Sequence, residues 1–448
     1  MLTPSQAQDL AARLIEQATA AGASSADAML VSDSSNSITV RLGELEDVSR
    51  SEGQEIGLRV FDGQRSASVA TSDFSTDGLA ALVERAVAMA REAPEDRFAG
   101  LASADLLLTT AKPDLDLFDP HEPSPAELRE RASVAERAAR AVAGVTNSNG
   151  ASASASRTTV ALATSEGFAG SYQVSGFGCS AGVIAGEGAT MQRDHAYHSA
   201  RHFSALDPAE EIGRRAAERA VARVGPFKPA AGRYPILFDP RVSPSLLGHL
   251  SGAITASGIA RKTSFLLDKL GERIFASGVT VRDEPHRLRG LRSRPFDGEG
   301  LATSARDLIA EGVLTGWLAE CASARQLGIA PSGHASRGVS GAPGASPSNL
   351  AMLGGARSRE QLLATFPRAI LVTELIGQGV NGVTGDYSRG AAGFWVENGE
   401  IAGPVAEITI ASNLIEMFAT LEPGSDLDYR RGVDAPTLLI PEMTVAAG

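Results

Sequence analysis

The segment FWVENGEI, residues 394–401, contains the pattern that most directly indicates the fold class. Its Asn398-Gly399 pair lies between two apolar runs, and this dipeptide favours the two-residue turn of a β-hairpin because both residues tolerate positive φ. The apolar run RAILVTELI, residues 368–376, precedes it and predicts a further strand. The C-terminal part of the chain is therefore predicted to be mainly β.

Toward the N-terminus, helical patterns are grouped with short strand-like segments. Leu10, Leu14 and Ile15 follow helical spacing after Thr3, a candidate N-cap. Further apolar stripes and alternating patterns predict helices at 79–91, 125–142 and 208–224 and strands at 28–31, 37–42, 55–61 and within 157–203. Because the helices are grouped and do not alternate regularly with strands, we expect an α+β fold.

The stretch GPFKPAAGR, residues 225–233, concentrates Pro and Gly as interdomain linkers do. We therefore predict an N-terminal α+β domain at 1–225 and a mainly β C-terminal domain at 226–448. Gly, Ala, Ser and Pro dominate residues 332–348, so we expect a long and mobile loop there.

Composition narrows the functional classes. The chain has 41 Lys and Arg against 53 Asp and Glu, a net charge of −12, which argues against a broad nucleic-acid surface. Its apolar runs are shorter than the roughly 18 residues of a membrane helix, so no membrane partner is expected. The N-terminus MLTPSQAQDL lacks the basic and apolar regions of a secretory signal, and two cysteines suit a reducing compartment. We therefore expect a cytoplasmic protein.

The segment GQGVNG, residues 377–382, matches the glycine pattern of dinucleotide-binding loops. Such a site needs a helix that opens at the last glycine, so that the helix N-terminus meets the pyrophosphate. The following residues, VTGDYSRGAAGFWV, predict a turn and a strand instead. These glycines therefore indicate turns or close backbone approach.

Two blocks carry a family resemblance. Residues 263–300, TSFLLDKLGERIFASGVTVRDEPHRLRGLRSRPFDGEG, and residues 377–405, GQGVNGVTGDYSRGAAGFWVENGEIAGPV, closely resemble the TldE (PmbA) branch of the TldD/PmbA peptidase family. Residues 41–73 are more weakly similar to the N-terminal domain of that family. The resemblance implies a heterodimeric TldD/TldE zinc metalloprotease that trims unfolded or leader peptides and degrades certain antitoxins. An older family name is modulator of DNA gyrase.

The catalytic motif of the family is reduced in this chain. The TldD branch carries His-Glu-x-x-x-His on a helix, where two histidines bind Zn²⁺ and the glutamate polarises water. The corresponding helix here, SPSLLGHLSGAI, has His249, Leu250 and Ile254 at those positions. Leucine takes no proton and isoleucine binds no metal. We therefore predict no catalytic residue and no cofactor on this chain, with zinc on a TldD-type partner.

The resemblance also implies how a non-catalytic chain contributes. It suggests a closed chamber that admits extended polypeptide, bound by strand addition. Six residues are predicted to line the chamber or the subunit interface: Gly379, Asn381, Asp386, Tyr387, Ser388 and Arg389. The alternative is a Gly-rich turn in which the Asp and Arg pair to hold a hairpin. An exposed heterodimer surface is compatible with a weak homodimer when the partner is absent, and the sequence leaves this point open.

Two other functions remain open from the sequence. One is a homodimeric regulatory or binding protein that acts on a target such as gyrase or an antitoxin without proteolysis. The other is an autonomous peptidase that uses His249 with distant ligands, for example Asp283 or His286. A single helix histidine is a poor nucleus for a zinc site.

Overall fold

The computed structural model describes residues 1–447. The N-terminal part consists of six strands and four helices, interrupted by short 3₁₀ turns: β1 (Ser25–Arg41), β2 (Glu44–Asp62), β3 (Arg65–Thr71), β4 (Val145–Thr164), β5 (Ala169–Ala185), β6 (Gln192–Ala200), α1 (Pro4–Ala20), α2 (Thr76–Glu92), α3 (Pro125–Arg140) and α4 (Ala209–Ala222).

These six strands form one antiparallel sheet in the order β3-β2-β1-β4-β5-β6. The helices cover one face of the sheet. Ala28 and Leu30 of β1 pack with α1 and α2, and Ile38 and Val40 of the same strand pack with α3 and α4. All four are even-numbered residues, which point to the same side of a strand.

Helix α1 begins as predicted. The Thr3 hydroxyl accepts a hydrogen bond from the Gln6 amide, the Gln6 side chain accepts one from the Thr3 amide, and Pro4 occupies the first turn. Such a capping box satisfies two backbone donors that have no partner inside the helix. Of the predicted strands, 28–31 and 37–42 are parts of one strand of 17 residues. The polar stretch 32–36 between them stays extended because β2 and β4 pair with it on both sides.

The C-terminal part contains thirteen strands and five helices within residues 226–447: β7 (Gly232–Phe238), α5 (Pro244–Ala253), α6 (Ala256–Ala260), β8 (Val281–Asp283), β9 (Arg306–Ala310), β10 (Val313–Leu314), α7 (Cys321–Leu327), β11 (Ala335–Ser336), β12 (Gly344–Ala345), β13 (Leu350–Met352), α8 (Arg359–Leu363), β14 (Arg368–Ile376), β15 (Asp386–Glu397), β16 (Glu400–Asn413), α9 (Leu414–Thr420), β17 (Glu422–Pro423), β18 (Val433–Asp434) and β19 (Leu438–Ala447).

The main C-terminal sheet has the order β16-β15-β14-β7-β19-β17, and an additional pairing of β16 with β19 closes five of its strands into a ring. The predicted hairpin is confirmed, with Asn398 and Gly399 at φ 49° and 88° between β15 and β16. A second sheet, in the order β10-β9-β8-β13-β18, lies beside it. The α+β fold class is confirmed, with helices and sheet in the N-terminal part and a largely β C-terminal part.

The loop at 332–348 is packed against the N-terminal sheet. Arg337 has a fully buried side chain and pairs with Asp27 on β1. The loop also approaches β2 so closely that a Cβ on Gly57 would lie 1.5 Å from the Val339 carbonyl oxygen. The Gly- and Ser-rich composition therefore permits close approach of two backbones here.

Candidate functional site

His249 lies on α5, and the two positions that complete the motif in the TldD branch lie next to it. Leu250 and Ile254 are both 0% exposed and belong to the main C-terminal core. Helix α5 ends at Ala253, so Ile254 already lies outside regular helix. The residues at both motif positions therefore contribute to packing, and their side chains are directed into the core.

The His249 ring faces an aromatic and a cationic residue. Its centroid lies 6.0 Å from that of Tyr387, with the two rings nearly perpendicular. Burial and the positive charge of Arg389 both lower the pKa of His249, so the imidazole is neutral at pH 7. Its Nε2 atom is buried and has no hydrogen-bond partner within residues 1–447.

Tyr387 and Arg389 carry further unsatisfied polar atoms. Tyr387 is 1% exposed, and neither its hydroxyl nor the Nε atom of Arg389 has a hydrogen-bond partner in the described part of the chain. Burial raises the pKa of Tyr387, and the nearby Arg389 charge opposes this shift. Buried polar groups are normally paired, so three unpartnered polar atoms on these residues make the cluster a candidate binding position.

The donor set around His249 does not suit a zinc ion. A catalytic zinc site uses three protein ligands, whereas His249 supplies one nitrogen atom next to the guanidinium of Arg389, which repels a divalent cation. Within residues 1–447, no group of three or more His, Cys, Asp or Glu side chains is arranged to hold a metal ion. The implied zinc therefore does not fit this site.

The two distant residues considered as zinc ligands have other partners. Asp283 Oδ2 accepts a hydrogen bond from Ser348 at 2.7 Å and lies 3.3 Å from His334 Nε2. His286 Nε2 lies 2.8 Å from the Thr303 hydroxyl. Their contacts give no support to an autonomous zinc site built around His249.

The Gly-rich segment after β14 forms a loop beside a cavity of about 600 Å³. Gly379, Asn381, Asp386, Tyr387 and Ser388 all line this cavity, as does Gly382. A side chain at 379 is excluded, because a Cβ there would lie 2.0 Å from the Ser388 carbonyl oxygen.

Polar side chains fix the shape of this loop. Asn381 Oδ1 accepts a hydrogen bond from the Val383 amide at 2.9 Å, and Asp386 accepts hydrogen bonds from Thr384 at 2.6 Å and from Asn413 at 3.2 Å. The alternative predicted from sequence, a pair between Asp386 and the nearby arginine, is not formed among the described residues. Arg389 faces His249 and Tyr387 instead. The spacing in sequence did not reveal this cluster, because His249 is far away along the chain.

Comparison with known proteins identifies the family. Family models described as PmbA/TldA metallopeptidase domain 1, central domain and C-terminal domain match residues 26–90, 118–224 and 231–447. The chain belongs to the PmbA/TldA metallopeptidase family. The branch expected from the sequence, PmbA/TldE, is confirmed.

Two curated relatives cover nearly the whole chain. The chain is 41% identical to Metalloprotease PmbA of Escherichia coli O157:H7 over 412 residues, which are 92% of this chain and 89% of that protein. It is 36% identical to Metalloprotease PmbA homolog of Haemophilus influenzae, with 96% and 94% covered. Relatives of this PmbA/TldA chain are thus named as metalloproteases.

Two solved structures share the fold. A candidate modulator of DNA gyrase from Bacteroides thetaiotaomicron matches with a TM-score of 0.91 and 28% identity over 100% of both chains. TldE from Thermococcus kodakarensis matches with a TM-score of 0.87 over 98% of this chain and 100% of that one, and its 21% identity supports the fold alone. Within residues 1–447, the structure has no helix that is both long and apolar enough to cross a bilayer.

Proposed function

We propose that this chain is the non-catalytic PmbA/TldE-type subunit of a cytoplasmic zinc metallopeptidase, whose hydrolytic centre lies on a TldD-type partner. The observation that carries this proposal is the burial of Leu250 and Ile254, both 0% exposed, in the core beside His249. A zinc peptidase needs an open metal position and a base that activates water. The side chains of Leu250 and Ile254 can neither bind zinc nor take a proton from water.

The family supports a proposal for the substrate class. The curated relatives are named as metalloproteases, which supports a peptide substrate. We propose unfolded or leader peptides, bound in extended form through backbone hydrogen bonds so that varied sequences are accepted.

We assign this chain a role in holding the peptide. Tyr387 lines the loop cavity and contacts His249, and each of these residues and Arg389 has a polar atom without a hydrogen-bond partner in the described residues. The Arg389 guanidinium and the Tyr387 phenol can each donate a further hydrogen bond, which suits a peptide carbonyl oxygen or a terminal carboxylate oxygen. An oxygen bound there would satisfy buried donors that otherwise remain unpaired.

The test is zinc content and peptidase activity on an unfolded peptide, measured for the chain alone and after mixing with the TldD-type subunit of the same organism. We expect the isolated chain to lack stoichiometric zinc and activity, and the mixture to have both. Stoichiometric zinc and activity in the isolated chain would overturn the proposal. Inertness of both preparations, with a homodimer seen by light scattering, would favour the regulatory alternative.

The peptide-binding role has its own variants. Arg389→Gln in the mixed complex should lower kcat/KM about tenfold, because a charge-assisted hydrogen bond is worth about 1.5–3 kcal/mol. Arg233→Gln, at an exposed position on β7 that pairs with Glu442 outside this cavity, is the matched control and should leave kcat/KM unchanged. Equal activities of the two variants would remove Arg389 from the binding role and leave the subunit assignment intact.

A further inference from the structure

A second cavity, of about 600 Å³, lies between the N-terminal sheet and the C-terminal part. Its walls come from the edge strand β6, helix α4, the end of β14, the segment before α5 and residues 430–431. Seven arginines line it, at positions 193, 215, 219, 223, 241, 430 and 431, against two carboxylates, at positions 194 and 374. The cavity is therefore strongly basic in a chain whose net charge is −12.

Four of the seven arginines are neutralised inside the protein. Two aspartates hold two of them each: Asp194 pairs with Arg223 and Arg241, and Asp207 pairs with Arg215 and Arg430. Arg223 also pairs with Glu374. These pairs form a rigid polar wall around the cavity.

The other three arginines have no carboxylate partner within residues 1–447. Arg219 donates a hydrogen bond to the His195 carbonyl oxygen at 3.2 Å. Arg431 donates to the Tyr197 hydroxyl at 3.0 Å and to the Pro240 carbonyl oxygen at 2.7 Å. With Arg193, these residues present positive charge to one cavity.

The setting of Arg219 is unfavourable for a cation. Burial and repulsion by the charge of Arg241 lower the pKa of Arg219 to about 10. Clustered like charges in a partly desolvated space are costly unless an anion compensates them.

Thr373 provides an independent observation. It is 6% exposed, lines the cavity, and its hydroxyl has no hydrogen-bond partner in the described residues. In the pairing of β14 with β15, the register shifts between Val372 and Glu374, so Thr373 is the extra residue of a β-bulge. Bulges redirect a side chain out of the regular pleat. Here the bulge places a free hydroxyl donor among the arginines.

We propose that this cavity, with Arg193, Arg219, Arg431 and the Thr373 hydroxyl as its donors, binds a phosphate group, either as free phosphate or as the ester of a small molecule. The proposal is independent of the peptidase assignment, because it concerns binding to the isolated chain.

Charge and volume favour phosphate over other anions. A phosphate monoester carries about −1.5 to −2 charge at pH 7 and three strong acceptor oxygens, which match several arginines and a hydroxyl better than a single carboxylate does. Ligand cavities typically measure about 300–1,000 Å³, so the volume accommodates a small organic body as well as the phosphate.

The experiment is calorimetric titration of the isolated chain at constant ionic strength with inorganic phosphate, ribose 5-phosphate and a tetraglutamate peptide. Three variants accompany the wild type: Arg219→Gln, Thr373→Val and the control Arg214→Gln. Arg214 is on the same helix as Arg219 but pairs with Glu218 at an exposed position outside the cavity.

We expect both phosphate compounds to bind the wild type and Arg214→Gln equally well. Binding should be at least about tenfold weaker in Arg219→Gln and measurably weaker in Thr373→Val, because each loses a donor to a charged group. Tighter binding of ribose 5-phosphate than of phosphate identifies an ester as the ligand, and the reverse order identifies the free ion. Thr373→Val removes only an unpaired hydroxyl and is expected to fold normally.

Three results would overturn the proposal. The first is the absence of phosphate binding at millimolar concentrations to the folded wild type. The second is phosphate binding that is unchanged in both cavity variants. The third is binding of the tetraglutamate peptide alone, which would assign the cavity to acidic peptides.

Discussion

Replacement of Asp27 by asparagine should destabilise the folded chain by about 3 kcal/mol. Asp27 is 2% exposed on β1, accepts a hydrogen bond from Arg59 Nε at 3.0 Å, and also pairs with the buried side chain of Arg337. Loss of the carboxylate leaves two buried guanidinium groups without a counter-charge. Breaking a buried pair costs about 3–5 kcal/mol, and asparagine retains one acceptor oxygen, which favours the lower value.

The same contacts predict a dependence on pH. Burial alone would raise the pKa of Asp27, but the charges and hydrogen bonds of Arg59 and Arg337 outweigh it and hold the pKa below its usual value. A carboxyl group with a lowered pKa stabilises the folded state above its unfolded pKa. This contribution is lost as the pH falls through the folded pKa. The difference in the free energy of unfolding between wild type and Asp27→Asn should therefore have its full value at neutral pH and become smaller in strong acid.

The assay is urea unfolding followed by far-ultraviolet circular dichroism and by tryptophan fluorescence. Both tryptophans, Trp317 and Trp395, belong to the C-terminal part, whereas Asp27 is on the N-terminal sheet. Because Arg337 joins the two parts, both probes should report a lower midpoint. The control is Asp47→Asn, an exposed position on β2. A stability of Asp27→Asn within about 0.5 kcal/mol of this control would refute the reasoning.

Three further predictions concern the basic cavity, the core position Leu250 and the two buried cysteines. Arg219→Gln should raise the free energy of unfolding near neutral pH by about 1 kcal/mol after allowance for solvent screening, because a base whose pKa is lowered to about 10 destabilises the folded state below that pH. In urea titrations, the wild type should recover this free-energy difference as the pH rises above 10, and a variant less stable than the wild type at neutral pH would contradict the argument. Leu250→Glu should lower the free energy of unfolding by about 3 kcal/mol or more because it buries a carboxyl group in the core, whereas Leu250→Met should lower it by less than about 1.5 kcal/mol. Equal urea midpoints for the two variants would show that position 250 tolerates the glutamate of the catalytic motif. Cys179 and Cys321 are 2% and 3% exposed, and burial raises the pKa of both thiols. A thiol reagent should therefore label both cysteines in urea and neither in the native chain, and rapid labelling of the native chain would contradict their burial.

Local patterns in the sequence predicted much of the secondary structure. The capping box after Thr3 and the Asn398-Gly399 turn depend on a few neighbouring residues, and both formed as expected. The same holds for the motif at His249, where two side chains without the required chemistry were visible from their identity alone. Such features can be predicted because backbone geometry and functional-group chemistry are properties of short segments.

Features that depend on distant neighbours were not visible. The polar stretch 32–36 resembled a break between two strands, yet pairing with β2 and β4 on both sides keeps it within one strand. The meeting of His249 with Tyr387 and Arg389 also joins segments far apart in sequence.

The basic cavity shows the same division most clearly. The sequence by itself determines the family, the α+β fold class and the absence of a complete His-Glu-x-x-x-His motif in this helix. It does not reveal that Arg193, Arg219 and Arg431 line one space, nor that a bulge directs Thr373 toward them. The fold brings these residues together because strand pairing and domain packing act over long sequence distances. The charge of each arginine is local, but its electrostatic environment depends on which neighbours the packed chain places around it.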